Sequence, residues 1–187
     1  IAQALYWARD ELYSHNTSDD GLYDSAAIDS KVLLAACLQC EVVYLHTWPE
    51  KLLDELQIKL FQEYISQRSL GHPVAHIIGY RDFWSLRLKV SSATLIPRPE
   101  TELLVEIALN LNLAEYSKAL DLGTGTGAIA LALANENLNT VILLNPKNEE
   151  AILHLAKLKL KSSDYEGVKE LLKKFNKVCS KLCDKSE

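Results

Sequence analysis

The sequence predicts a mostly helical chain that carries, past its middle, the opening turn of an α/β ligand-binding domain. Three observations lead there. Apolar residues recur at helical spacing through the first seventy residues. Leu86, Leu88 and Val90 alternate with Arg87 and Lys89, the pattern of a half-buried strand. An apolar segment around Asp121 runs into three alternating glycines and then an Ala-rich helix.

The helical elements follow in order. Ala4, Leu5, Trp7, Ala8 and Leu12 share one helical face, and a polar break spans Ser14 to Gly21. Asp24 or Ser25 is placed to cap a second helix carrying Ile28, Val32, Leu33 and Ala36, apolar from Ala26 to Leu38. Pro49 stands where a first-turn proline belongs, and Leu52, Leu53, Leu56, Leu60 and Tyr64 continue an apolar face to about Ser69. Gly71 and Pro73 end this bundle. Two stretches of strand character follow, Val74–Tyr80 and Phe83–Val90, with the turn expected at Gly79–Asp82. Ile96-Pro-Arg-Pro99 reads as extended, because each proline fixes its own φ and restricts its predecessor. Thr101 is placed to cap a helix to about Leu113. Ala119–Leu122 then reads as a short buried strand before the glycine loop and its helix, 123–134.

The 187 residues carry 20 basic and 25 acidic side chains, a net charge of −5. That balance argues against broad binding to a nucleic-acid backbone. No apolar run approaches the roughly 18 residues of a membrane span. The chain contains no Met and does not begin with one, so a fragment or processed product is expected. Charge also shifts along the chain. Residues 1–140 hold 10 basic and 18 acidic side chains; residues 141–187 hold 10 Lys, no Arg and 7 acids. That change of sign suggests a join between sequences of different origin. The tail reads as two amphipathic helices, about Asn148–Lys161 and Asp164–Lys181.

Cys37 and Cys40 have a CxxC spacing but lie at the end of an apolar helix, so buried or half-buried thiols are expected. A zinc site joining them to Cys179 and Cys183 has the right ligand count and nothing to bring the pairs together. The thiols suggest a reducing, cytoplasmic location. His15, His46, His72, His76 and His154 have no metal-site spacing, and no metal is expected.

Asp121-Leu-Gly123-Thr124-Gly125-Thr126-Gly127 is the segment that carries chemistry. Glycines permit sharp turns and close approach of a ligand, and the helix start behind them offers free N–H groups. Gly123-x-Gly125-x-x-Ala128 fits a dinucleotide fingerprint. Asp121-x-Gly123-x-Gly125-x-Gly127 fits motif I of methyltransferases dependent on S-adenosylmethionine (SAM). An acid before the loop suits the SAM ammonium and repels a pyrophosphate, which favours SAM. A purely structural glycine turn is the third reading.

Gly71, Pro73, Gly79, Phe83 and Val90, then Leu95-Ile-Pro-Arg-Pro-Glu-Thr-Glu102 with Leu104-Val-Glu106, then the glycine motif, resemble the HemK/PrmC family over residues 1 to about 137. These are protein-(glutamine-N5) methyltransferases acting on peptide chain release factors. The resemblance implies an α/β fold: an N-terminal helical bundle, a β-hairpin linker and the start of a Rossmann-like methyltransferase sheet. The expected division is a substrate-docking domain at 1–70, a hairpin linker at 71–95, an incomplete SAM domain at 96–144 and a helical tail at 145–187. The resemblance implies that Gly123, Thr124, Gly125, Thr126 and Gly127 hold SAM, with Asp121 before them and Pro97 to Thr101 at the pocket edge. It makes Thr140–Leu144 a strand whose end residue, acidic in the family and Asn145 here, meets the ribose hydroxyls. It implies a release factor as protein partner, with no direct nucleic-acid or membrane partner and a monomeric state.

The family's Asn-Pro-Pro-Tyr motif, which grips the substrate amide, has no match in this sequence, so no catalytic residue is assigned. Asn145-Pro-Lys-Asn148 followed by Ala151, Ile152, Leu155, Ala156, Tyr165, Val168 and Leu172 resembles a single tetratricopeptide repeat. A generic helical hairpin is the plainer alternative. The resulting expectation is a methyltransferase front half of doubtful activity. Its competitor is a non-catalytic interaction protein with a remnant SAM motif.

Overall fold

The computed structural model describes residues 1–14, 22–111, 119–162 and 164–179. It divides into two compact units, Ile1–Gly79 and Tyr80–Glu187. The polar break at 15–21, Leu113, Cys183 and the expected end of the tail helix at Lys181 lie outside the described residues.

The first unit is helical: α1 (Ala2–Ser14), α2 (Leu22–Leu38), α3 (Val42–Thr47), α4 (Glu55–Ser69) and α5 (Val74–Ile78). Ala8 and Leu12 of α1, Leu33 and Leu34 of α2, Leu45 of α3, and Phe61 and Ile65 of α4 are buried together. Pairs four apart, such as Phe61 and Ile65, sit one turn above each other and give each helix its inner stripe. Asp29 of α2 and Arg68 of α4 add an ion pair at 2.8 Å, partly shielded from water.

Helix ends in this unit follow from side-chain chemistry. α2 starts at Leu22, before both Asp24 and Ser25. It stops where Gln39 turns left-handed at φ 52°. The Gln39 N–H then reaches the Ala36 carbonyl and the Cys40 N–H reaches the Ala35 carbonyl, a Schellman closure. α4 begins at Glu55, not at Pro49. Its start is a capping box: the Gln57 N–H donates to Asp54 at 2.8 Å, and the Asp54 N–H donates to the Gln57 side chain at 3.1 Å. That reciprocal pair outweighs the helix-starting preference of a proline six residues before Glu55. Val74–Ile78 is a helix where a strand was expected. Pro73 presets its start, and Gly79 closes it at φ 81° with its N–H on the Ala75 carbonyl.

The second unit opens with an antiparallel hairpin, β1 (Tyr80–Phe83) and β2 (Leu86–Lys89), paired Tyr80 to Lys89 and Phe83 to Leu86. The turn is Trp84–Ser85, so the expected turn at Gly79–Asp82 is displaced: Gly79 is consumed in ending α5. Leu86 and Leu88 face inward and Arg87 and Lys89 outward, as the alternation predicts. A single 3-10 turn at Pro99–Thr101 leads into α6 (Glu102–Leu109), and Thr101 makes no side-chain cap. α7 (Ala128–Leu144), α8 (Glu149–Lys161) and α9 (Tyr165–Val178) complete the unit.

Two corrections follow. Ala119–Leu122 is not a strand, and Leu120 and Leu122 stand 83% and 82% exposed. Thr140–Leu144 is the last part of α7. A parallel strand is stable only between neighbours, and the hairpin is the sole sheet among the described residues. With no Gly or Pro between Ala128 and Leu144, the Ala- and Leu-rich segment stays helical throughout. Ile142 is then buried against Ala151, Ile152 and Leu155 of α8. The described residues are therefore mostly helical, with one small antiparallel sheet.

The tail forms its two helices close to the expected limits. Asn148 caps α8 through the Ala151 N–H at 2.9 Å, and Asp164 caps α9 through the Gly167 N–H at 2.9 Å. Asp164 also accepts from Lys159 Nζ at 2.6 Å. A Cβ at Gly167 would fall 2.5 Å from Asp164 Oδ2 and 2.8 Å from Lys159 Cδ, so a side chain there would displace the Asp164–Lys159 pair. Leu158 reaches a second cluster, with Phe83, Leu86, Leu88, Val105, Ala128 and Ala132. The tail thus supplies part of the core beneath the hairpin.

Candidate functional site

The loop 121–127 is built from backbone that only glycine adopts cheaply. Gly123, Gly125 and Gly127 lie at φ 72°, 54° and 78°. The Gly127 N–H donates to the Thr124 carbonyl at 2.7 Å and closes the loop onto α7. The Thr124 hydroxyl donates to Asp121 Oδ2 at 2.8 Å, so the aspartate braces the loop as well as charging it. No side chain caps α7, whose first turn begins directly after the left-handed Gly127. A helix start of this kind presents N–H groups and the positive end of the helix dipole. Space above Gly123 and Gly125 is open: a Cβ at Gly123 would meet nothing within 4 Å.

Six of the seven expected site residues, Asp121 and 123–127, are therefore brought together. Asn145 is not. It follows the last residue of α7, and at about 1.5 Å rise per residue the helix separates it from Gly127 by roughly 25 Å. The strand that would have carried it beside the loop is the helix itself. Pro97 to Thr101 are extended and then 3-10 in conformation, up to the start of α6.

A polar knot behind the loop escaped the sequence reading. Trp84, at the hairpin tip, has φ 55°, an uncommon value for a bulky residue. Its N–H donates to Glu102 Oε1 at 2.8 Å, and its indole N–H donates to Glu136 Oε1 at 2.9 Å. Asn135, buried, donates to the Ser85 hydroxyl at 3.0 Å. Three bonds of this kind over-determine a strained turn. They fasten the hairpin to the first residue of α6 and to the middle of α7, and so hold the helix whose start carries the glycine loop. The available signal was Glu102, within the Pro-Arg-Pro-Glu-Thr-Glu string; the spacing to Trp84 and Glu136 is visible only in three dimensions.

The cysteines form no such site. Cys37 is buried, its thiol directed at the Gln57 carbonyl at 3.4 Å, and burial, helped by the nearby Asp54 charge, raises its pKa. Burial and then Glu41 likewise raise Cys40. Both are free thiols held away from the reactive thiolate form. Cys179 is disulfide-bonded, which removes its sulfur from any four-thiolate site. Among the described residues, no group of three or more His, Cys, Asp and Glu is placed to hold a metal. No helix there is long and apolar enough to cross a membrane.

Comparison with known proteins places the fold in context. Residues 3–79 match the family described as the PrmC N-terminal domain. The chain is 49% identical over 120 residues to a release factor glutamine methyltransferase of Shewanella oneidensis, covering 64% of this chain and 40% of that protein. It is 51% identical over 87 residues to the protein of that name from Aliivibrio fischeri, 46% of this chain and 31% of the relative. It is 48% identical over 96 residues to the one from Pseudomonas aeruginosa, 51% of this chain and 35% of the relative. The chain thus spans about two fifths or less of the length of these curated relatives. The matched stretch covers the helical unit, whose core and caps were derived above from its own residues. Residues 3–79 therefore match the PrmC N-terminal domain, and the front part of the chain is similar to proteins named release factor glutamine methyltransferase.

Proposed function

We propose that this chain carries the docking and SAM-loop portion of a release factor glutamine methyltransferase. The observation that carries this reading is the 49% identity over 120 residues with a protein of that name. The loop chemistry supports it. Three glycines at positive φ let a ligand approach the backbone, the uncapped helix start offers it N–H donors, and the Asp121 carboxylate offers an acceptor for a cationic group. In this reading Gly123 to Gly127 hold SAM and Asp121 sets the charge beside its ammonium. The first unit docks the release factor in a cytoplasmic, monomeric protein. SAM supplies an electrophilic methyl group when bound. The 96–144 segment would then be the start of a Rossmann-like domain.

Methyl transfer to a glutamine amide needs the nitrogen held in line with that methyl group, which is mainly a matter of positioning. No residue of this chain is assigned to that task. The proposal is therefore that the chain by itself binds SAM weakly and transfers no methyl group. Incubation with radiolabelled SAM and a bacterial release factor tests it. No label in the release factor, with SAM binding lost on Gly125→Arg, is the expected result. Label in the release factor overturns the inactive part of the reading; SAM binding that survives Gly125→Arg overturns the loop assignment.

One observation favours a second reading, a non-catalytic interaction module. The tail helix α8 occupies core space beneath the hairpin and along α7, while Leu120 and Leu122 remain exposed. Release factor captured by the chain, unaffected by Gly125→Arg and without turnover, would favour that reading.

A further inference from the structure

The hairpin tip places a tryptophan where the backbone favours a glycine. The turn has two residues, Trp84 and Ser85, and the first lies at φ 55°. Two-residue turns with a positive φ at that position favour glycine, and a bulky side chain there is strained. Such strain persists where surrounding contacts hold it, and it collects at places with a task. The partners of Trp84 show the task. Its backbone N–H is held by Glu102 and its indole N–H by Glu136. Glu102 is the first residue of α6 and directly follows the Pro99–Thr101 turn, expected at the pocket edge. Glu136 lies in α7, whose first residue, Ala128, follows the glycine loop. One residue therefore ties together both sides of the candidate ligand site.

Packing makes the same connection. Ala128 and Ala132 of α7 share a buried cluster with Phe83 and Leu86, which flank the turn, and with Val105 of α6. Ala128 is 7% exposed and adjoins Gly127, so a displaced hairpin tip displaces the helix start and the N–H groups it offers. Glu136 stands eight residues further along α7, about 12 Å at 1.5 Å per residue. It acts on the loop through the helix and not by contact.

We infer that Trp84 and Glu136 are positioning residues for the glycine loop, and that the bond between them sets the affinity of the loop for SAM. The inference rests on the SAM reading of the loop.

The test follows SAM binding to the full isotope-labelled chain by NMR. Glu136→Ala and Trp84→Phe each remove the indole bond, and the second keeps a ring and the backbone N–H that Glu102 accepts. Each should weaken binding about fivefold, and the double variant no more than either alone, because both break one bond. Glu136→Gln, whose amide oxygen can still accept the indole N–H, should stay within about twofold of wild type. Asn137→Ala, which removes a side-chain bond from the exposed face of the same helix, should leave binding unchanged. SAM should also shift the Trp84 indole N–H resonance, with Trp7 and Trp48 of the first unit as internal references; general loss of stability gives no such shift. Unchanged affinity in Glu136→Ala and Trp84→Phe overturns the inference, as does a Trp84 indole resonance that SAM does not move. No SAM binding by the wild-type chain at millimolar concentration overturns the SAM reading instead. The amide resonances of Gly123 to Gly127 then decide the positioning role: it holds if Glu136→Ala moves them and Glu136→Gln restores them, and it fails otherwise.

Discussion

The first unit gathers its buried residues in one core and the second in two smaller clusters, while both leave leucines in water; Leu52 and Leu56, expected on a packed face, are 85% and 81% exposed, because α4 turns Phe61 and Ile65 inward instead. Phe61, Ile65, Leu33, Leu34, Leu45, Ala8 and Leu12 belong to one continuous core. In the second unit, one cluster lies under the hairpin and another between α7, α8 and α9. Leu120, Leu122, Leu143 and Leu144 are each at least 80% exposed. The difference follows from the kinds of element. Amphipathic helices complete each other's stripes locally, so five short helices build one shared core within the first seventy-nine residues. A segment patterned as an inner strand needs neighbours on both sides, and without them its leucines face solvent.

Removing a core aromatic tests the comparison most strongly. Phe61→Ala should cost about 3–5 kcal/mol, and Ile152→Ala, in the smaller cluster of the second unit, about 2–5 kcal/mol. Denaturant unfolding of the full chain should show the Phe61 variant losing structure in the first unit only. Trp7, whose ring lies edge-on to Phe61 at 6.1 Å, is the fluorescent reporter for that unit. A parallel loss in both units would mean that they do not fold separately.

Gly127→Ala should cost about 1–2 kcal/mol, because a Cβ is disfavoured at φ 78°. The loss should appear in thermal unfolding of the second unit. No loss would mean that the loop relaxes to another conformation.

A smaller effect is expected from acid. The Lys159 ammonium, and then the Gly167 N–H, hold the Asp164 carboxyl below its usual pKa. A depressed folded-state pKa contributes stability above the unfolded value, about 3.9. That contribution is lost as pH falls from about 4 through the folded value. The second unit should therefore melt at lower temperature below about pH 4, and Asp164→Asn should flatten the slope. Since Asp164 is 41% exposed, solvent screening keeps the effect modest. The smallest change is expected of Leu122→Ser: within about 0.5 kcal/mol of wild type, with weaker binding of a hydrophobic dye. A larger destabilisation would show that Leu122 is covered in solution.

The sequence by itself determined the helical bundle, the alternation of β2, the tail helices with their Asn148 and Asp164 caps, and the left-handed glycine loop. Each depends on contacts within a few residues: one helical turn, one pleat, one capping bond. It also placed Cys37 and Cys40 as thiols in an apolar helix end, which they are. Tertiary structure decided the rest. It made α5 from Val74–Ile78 by letting Gly79 end a helix, and it extended α7 through Thr140–Leu144 by burying Ile142 against α8. It carried Asn145 to the far end of that helix and tied Trp84 to Glu102 and Glu136 across intervals of 18 and 52 residues. Short apolar runs are compatible with either helix or strand, and the neighbour that arrives to cover them makes the choice.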